Sequence, residues 1–552
     1  MRALAFTLLA SSLLACGGDT PPPAGPIDYT VIGYDYAFDI ETRAAATAVD
    51  VRVDTGGDCL SMPLRAGQIA DVTLDDEPVS GTLEGNILTV CGAGWEDGSE
   101  ITLRGTLEIP DETWGDSQVG YSVTDDLEGQ PFYYLVSWVG GCDRFGPCDS
   151  APDRFAHYHF TVHHPSGYKA LCPGTVTAGD TETTCDFTFA GGPTYSGFGV
   201  AASPSWTTDD LGDWGGVHAT LYDIPSTGIA DAIDTSYHAD YLAWMIDQFG
   251  PYPYGDEIRF FTGPTYWNGF EHPGNIALAD TLVGQSSRYA NPLAHTINHE
   301  MTHMWAGDQT TLSGTYDFVW KEAMAEYLTY VFDDQRDPAI AAKTASAWKY
   351  FAGGAAYYPM PMDDPRPALL DYYGDAYGPG PMVLFHQLER LYSRDDVMAA
   401  LAMLLGTERS IGVDDVKTAL ETTTGADLTN YFNAWVYGSG KPAWPRFSVQ
   451  ALDAGGGDYN VLVAQLDPQN GLYGCAFAVE LTGDNPGESD EVWVDMGPDG
   501  KTSQMVTASP GFSVTGWTFD PHADCLAYEG PVAAPAAAQP RINPWVARRS
   551  RR

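Results

Sequence analysis

The sequence predicts a multidomain chain in which a β-rich first part, a mostly helical central part and a small β-rich last part follow one another. Three observations predict this. The 552 residues exceed what one hydrophobic core serves and point to about three or four domains. Hydrophobic residues make up 44% and aromatic residues 12%, enough to pack several interiors and unlike a disordered chain. The hydrophobic period also changes along the chain, from alternation to a helical repeat and back.

Residues 1–15 carry Arg2 and then an apolar run too short to span a bilayer, which reads as a secretory signal. Its end, Leu13-Leu14-Ala15-Cys16, resembles a bacterial lipoprotein cleavage box, which implies that Cys16 is lipidated and becomes the mature N-terminus. Residues 16–28 are then the lipidated cysteine and a tether containing Pro21-Pro22-Pro23. Eight further cysteines, an even number with no metal-type spacing, fit disulfides in an oxidising compartment. Sequence neighbours suggest Cys59–Cys91, Cys142–Cys148, Cys172–Cys185 and Cys475–Cys525, a connectivity that sequence alone leaves open.

Residues 29–203 show short runs such as Val51-Arg52-Val53 and Ile101-Thr102-Leu103 broken by Gly, Asp and Pro, the pattern of a largely antiparallel β domain. His159, His163 and His164 lie in one such run. Strand alternation sends His163 and His164 to opposite faces, so they are read as ordinary residues rather than a metal cluster.

Residues 204–440 turn mostly helical. Ala230 to Phe249 has helical periodicity and is stopped by Gly250-Pro251-Tyr252-Pro253. Asn291-Pro292 reads as a helix start. Leu293, Ile297, Met301 and Met304 then recur at helical spacing, with Gly307 as the expected stop. His299 and His303, four residues apart, share one helix face and can present two imidazoles to one ion, the spacing of a zinc site. Glu300 is offset by about 100°, which suits a carboxylate that reaches a metal-bound water rather than the metal. Glu322 sits in the run Phe318-Val319-Trp320 to Phe332, which reads as a second buried helix, and a carboxylate there needs a metal or a salt-bridge partner. Two histidines and one carboxylate leave a coordination position for water, whereas a closed structural site uses four protein ligands. His295 is a rival ligand, read as a satisfied helix residue. Glu326 reads either as an orienting partner of a ligand histidine or as a surface carboxylate. Val413 to Val436 reads as two helices.

Residues 441–530 alternate again, as in Tyr459-Asn460-Val461 and Glu491-Val492-Trp493, and form a small C-terminal β domain. Its acidic turns (Asp484, Glu488, Asp490, Asp495, Asp499) read as solvated rather than calcium-binding. Residues 531–552, rich in Pro and Ala and ending in arginines, read as a disordered tail.

The stretch from His299 to Asp308 (HEMTHMWAGD), with Glu322 on the next helix, resembles the zinc aminopeptidases of the aminopeptidase N family, gluzincins named for that glutamate ligand. Trp305, Gly307, Trp320 and Ala325 match as well, while Lys321 and Ala323 stand where the family has asparagine and glycine. Gly269-Phe270-Glu271-His272 resembles the family's exopeptidase motif, with His272 for asparagine. Tyr377-Gly378-Pro379 resembles its tyrosine segment, with Pro379 for lysine and with Tyr372 and Tyr373 as rivals. The resemblance covers about residues 29–530 and does not extend to the large helical C-terminal domain of the best-known members. It implies an N-terminal antiparallel β saddle domain, a thermolysin-like α+β catalytic domain and a small C-terminal β sandwich. It also implies zinc on His299, His303 and Glu322, with Glu300 as general base, Tyr377 as oxyanion donor, and Glu271 and His272 binding the substrate's amino end.

The expected function is an exported, zinc-dependent aminopeptidase that removes N-terminal residues from peptides. A formal charge of −47 argues against nucleic acid as a partner and against an anionic membrane held by the protein surface. Membrane contact is then through the lipid anchor only, in the cell envelope, on the periplasmic or cell-surface side. The changes at His272, Lys321 and Pro379 keep open an endopeptidase or another hydrolase on the same scaffold. A non-catalytic binding lipoprotein is the reading from a different class; against it, no ligand and no base is lost. Because Cys16 carries the anchor in this reading, Cys16→Ser should move the protein from membrane to soluble fraction on ultracentrifugation. Equal membrane retention of the variant would place the anchor elsewhere.

Overall fold

Residues 34, 36 and 38 of the strand Asp28–Asp39 are Tyr, Tyr and Phe, and all three are buried. Side chains two apart share a sheet face, so these rings line one side, where Tyr158, Phe160 and Phe198 meet them. The computed structural model describes residues 25–114, 117–467 and 471–531. The signal and the lipidated Cys16, most of the tether, and the tail beyond residue 531 lie outside the described residues. The aromatic face belongs to an eight-stranded sheet, flanked by sheets of four and three strands. It is antiparallel except where Asp28–Asp39 runs parallel to Phe155–His163. His163 lies exposed beside Glu182, while His164 is buried on Thr183. The disulfides are Cys59–Cys91, Cys142–Cys148, Cys172–Cys185 and Cys475–Cys525.

The central part begins with a sheet that a mostly helical reading misses. Five strands between Thr207 and Ala279 form it, with Gly269–His272 at its edge. Ile258-Arg259-Phe260-Phe261 and Ile276-Ala277-Leu278 are buried on both sides, so they show no alternation, and short apolar runs of this kind do not distinguish strand from helix. Helices follow: α1 (Thr235–Phe249), crossing over between strands, then α2 (Pro292–His303), α3 (Phe318–Arg336) and α4 (Pro338–Gly354). The Asn291 side chain accepts from the Ala294 amide and Pro292 occupies the first turn, so the start of α2 is locally encoded. Every residue of α2 except Pro292 and Ala294 is buried, and α3 is buried from Phe318 to Asp333.

Gly307 does not act as the left-handed cap expected of it, because α2 ends four residues earlier and Gly307 has φ 145°. A Cβ there would lie 2.9 Å from both Lys321 Cε and the Tyr195 hydroxyl, so close approach demands the glycine. The C-terminal part holds sheets of four and three strands, which meet through Phe447 against Phe477 at 5.5 Å. No described helix is long and apolar enough to cross a membrane.

Candidate metal centre

Helices α2 and α3 place polar side chains where water does not reach, so each must find a partner within the protein. Along α2, four-residue spacing brings His295, His299 and His303 onto the face toward α3, which answers with Glu322 and Glu326. His299 Nε2 lies 3.2 Å from Glu322 Oε2 and 3.1 Å from His303 Nε2, and His303 Nε2 lies 3.6 Å from the same carboxylate oxygen. Tetrahedral coordination with bonds of about 2.0–2.2 Å separates neighbouring ligand atoms by about 3.3 Å. The three donors therefore already have the spacing of a cation site.

The tautomers agree with that use. His303 Nδ1 donates to the Ala306 carbonyl at 3.0 Å, which leaves its Nε2 lone pair facing the other two donors. His299 Nδ1 lies 3.2 Å from Glu326 Oε1, close enough for that carboxylate to orient the ring. Glu326 is no surface carboxylate. It is buried and also accepts from His295 Nε2 (3.1 Å), the Tyr289 hydroxyl (3.2 Å) and Trp348 Nε1 (2.5 Å). His295 is thus held outside the triad, stacked on Tyr289 with ring centroids 3.9 Å apart.

Burial works against charge throughout this centre, and specific neighbours decide where each group ends. It disfavours a charged Glu322, yet the Lys321 ammonium and the two imidazoles hold that carboxyl well below the usual range. It disfavours Glu326 too, which His295 and His299 hold at about 2. It pushes Glu300 up to about 8, with Glu271 and Glu322 adding to the rise and His299 opposing it. It also works against an imidazolium at His299, but Glu322 and Glu326 lift that group to about 10; a cation between the donors would replace the proton they hold.

The pocket beside these donors is lined by Gly269, Glu271, His299, Glu300, His303, Glu322, Tyr373 and Tyr377. Glu300 points across to the edge strand, and a Cβ at Gly269 would overlap its carboxylate. Tyr373 and Tyr377 both reach the pocket, the Tyr377 hydroxyl donating to that of Tyr373, whereas the Tyr372 hydroxyl donates to the Pro359 carbonyl and takes no part. Glu271 faces the pocket.

His272 does not line it, which corrects its assignment to substrate binding. Adjacent strand residues point to opposite faces, and His272 is buried against the N-terminal part. It accepts from the Tyr134 hydroxyl at 2.8 Å and donates to the Ser196 carbonyl at 3.0 Å. Alternation at Glu271-His272 was the available signal. Two contributors went unrecognised. Tyr195, far upstream of α2 in the N-terminal β part, donates to Glu271 or Asp308, each at 3.2 Å. Lys321, read as a departure from the family's asparagine beside a ligand, ion-pairs with Glu271 and lies 2.8 Å from Glu322 Oε1.

Residues 237–435 match the family model described as the peptidase family M1 domain. Aminopeptidase N of Streptomyces lividans is 22% identical over 443 residues, which is 74% of this chain, and the chain spans 50% of that relative's length. The crystal structure of Legionella pneumophila aminopeptidase A in complex with aspartic acid superposes with a TM-score of 0.70 at 13% identity, covering 92% of this chain and 60% of that one. An M1 zinc metallopeptidase from Deinococcus radiodurans gives 0.62 at 18% identity, covering 75% and 95%. At these identities the structural likeness concerns the fold.

Two substitutions separate positioning from packing. Glu326→Gln should weaken metal binding about 10- to 100-fold in a competitive chelator titration, because His299 loses the acceptor that orients it. His272→Leu should keep full metal stoichiometry by atomic absorption. It should still lower stability by about 1–3 kcal/mol, since the Tyr134 hydroxyl and Ser196 carbonyl lose their partner.

Proposed function

We propose that this chain, whose residues 237–435 match the peptidase family M1 domain, is a zinc-dependent peptidase of the aminopeptidase type. The observation that carries this reading is the triad of His299, His303 and Glu322. Its donor atoms are spaced for a tetrahedral ion, with Glu300 and a tyrosine pair on the open side. Zinc bound there supplies Lewis acidity, polarising a carbonyl and making water a nucleophile near neutral pH.

This chain's residues do the rest. Glu300 takes the proton of the attacking water and returns it to the leaving nitrogen. Tyr377 turns its one proton from Tyr373 to the oxyanion that develops on the former carbonyl. Glu326 holds His299 in the tautomer that leaves Nε2 free. Glu271, ion-paired with Lys321, is the carboxylate that faces the substrate's amino side. A second reading, an endopeptidase on the same centre, is favoured by one observation: Glu271 is already ion-paired with Lys321.

The same reading gives the chain a saddle-like N-terminal β domain, a thermolysin-like catalytic domain and a C-terminal β sandwich. Export to the cell envelope rests on the signal-like residues 1–15, Cys16 and four disulfides, which persist in oxidising compartments.

Glu300→Gln should keep stoichiometric zinc while hydrolysis falls on the order of 10²–10⁴-fold. Tyr377→Phe should lower kcat more than it raises KM, since its bond strengthens in the transition state. A chelator should abolish hydrolysis and added zinc restore it; full zinc and full activity in His303→Ala would remove the ligand assignment.

A further inference from the structure

The Lys321 side chain lies beside the pocket and is built in rather than draped over it. It is 2% exposed. Its ammonium is held between Glu271 Oε1 and Glu322 Oε1, and lies 5.5 Å from the Tyr195 ring centroid. Its stem runs over Gly307, at a position where a Cβ would meet Lys321 Cε at 2.9 Å and Cγ at 3.1 Å. A backbone that leaves out a side chain to admit this one fixes the ammonium in place.

The charges around the pocket then decide what it can receive. Three carboxylates line it, those of Glu271, Glu300 and Glu322, together with two imidazoles that are neutral as ligands. The carboxylate that would take a free N-terminal ammonium on the substrate is that of Glu271, and the Lys321 ammonium already sits on it, with Glu322 on its other side.

We infer that Lys321 sets the substrate class of this centre: peptides with an uncharged amide at the amino end, whether internal bonds or N-acylated ends, are hydrolysed about as readily as peptides with a free α-ammonium. The inference rests on the peptidase reading given above. An incoming ammonium finds no unmatched carboxylate and meets a like charge behind Glu271, so the charge-assisted bond that would select it is missing. Lys321 thereby acts as a specificity residue and leaves bond cleavage to the metal and Glu300.

The test uses the full-length, zinc-loaded enzyme and Lys321→Met, which keeps the stem and removes the charge. Leucine 4-methylcoumarin-7-amide and its N-acetyl counterpart are compared as substrates. L-leucinol and N-acetyl-L-leucinol are compared as non-hydrolysable ligands by calorimetry. The wild-type preference for the free amine should be under about threefold in kcat/KM and in affinity. Lys321→Met should raise it to about tenfold or more, the value of a charge-assisted bond. A wild-type preference above about a hundredfold overturns the inference, and that measurement stands even if the variant fails to fold. So does a folded, zinc-replete Lys321→Met whose preference is unchanged. If the wild-type enzyme binds zinc but hydrolyses neither substrate, the peptidase reading falls, and the two leucinol affinities still decide the role of Lys321.

Discussion

Everything around the centre depends on the seam between α2 and α3, where histidines and carboxylates are buried with no water to satisfy them. An unpaired buried charge costs several kcal/mol, so the seam is stable only when every donor meets an acceptor. Glu326 shows how completely this is met, with four donors directed at one carboxylate from α2, α4 and the loop before α2. The triad itself differs. Its three inward atoms, two imidazole nitrogens and one carboxylate oxygen, crowd within 3.1–3.6 Å of one another with no second protein group between them. Glu326 and the Ala306 carbonyl engage the outer nitrogens of His299 and His303, and the three inner atoms face one another at the spacing of a cation site.

The N-terminal β part is not a separate accessory to this centre. Tyr195 reaches Glu271, Ser196 donates to Asp308 at 2.6 Å, and Tyr134 anchors His272 on the reverse side of the same edge strand. Gly199 lies so close to the His272 ring that a Cβ there would overlap it. The strand that presents Glu271 is thus clamped from behind by the N-terminal β part and faces His299, Glu300 and His303. Rigid placement of this kind matters because catalytic groups lose effectiveness steeply with small displacements.

What the sequence made legible follows from the range of each signal. His299, His303, Glu300 and the Asn291-Pro292 start are local, and helix geometry converts their spacing directly into a shared face. The second helix could be read from its apolar run, and Glu322 from its isolation within it. The five-stranded sheet was hidden because strands buried on both faces lose their period. His272 was misplaced because a motif resemblance was given more weight than strand alternation, which separates it from Glu271. Tyr195 could not be found at all, since nothing local marks a tyrosine whose partners lie 76 and 113 residues away.

Lys321 shows where the two kinds of signal conflict. Beside Glu322 on a helix, its side chain leaves the backbone about 100° away, and sequence alone gives no reason for it to return to the same pocket. It returns because Gly307, expected to end α2, clears a path for its stem instead. Residues 307 and 321 are therefore one structural decision made at two positions: a larger residue at 307 would expel the lysine, and an apolar residue at 321 would remove the ion pair of Glu271 and leave it the Tyr195 hydroxyl as a donor. An unmatched buried carboxylate is costly, so a centre without Lys321 would need its substrate to bring the cation. With the lysine in place, that requirement is met before any substrate arrives.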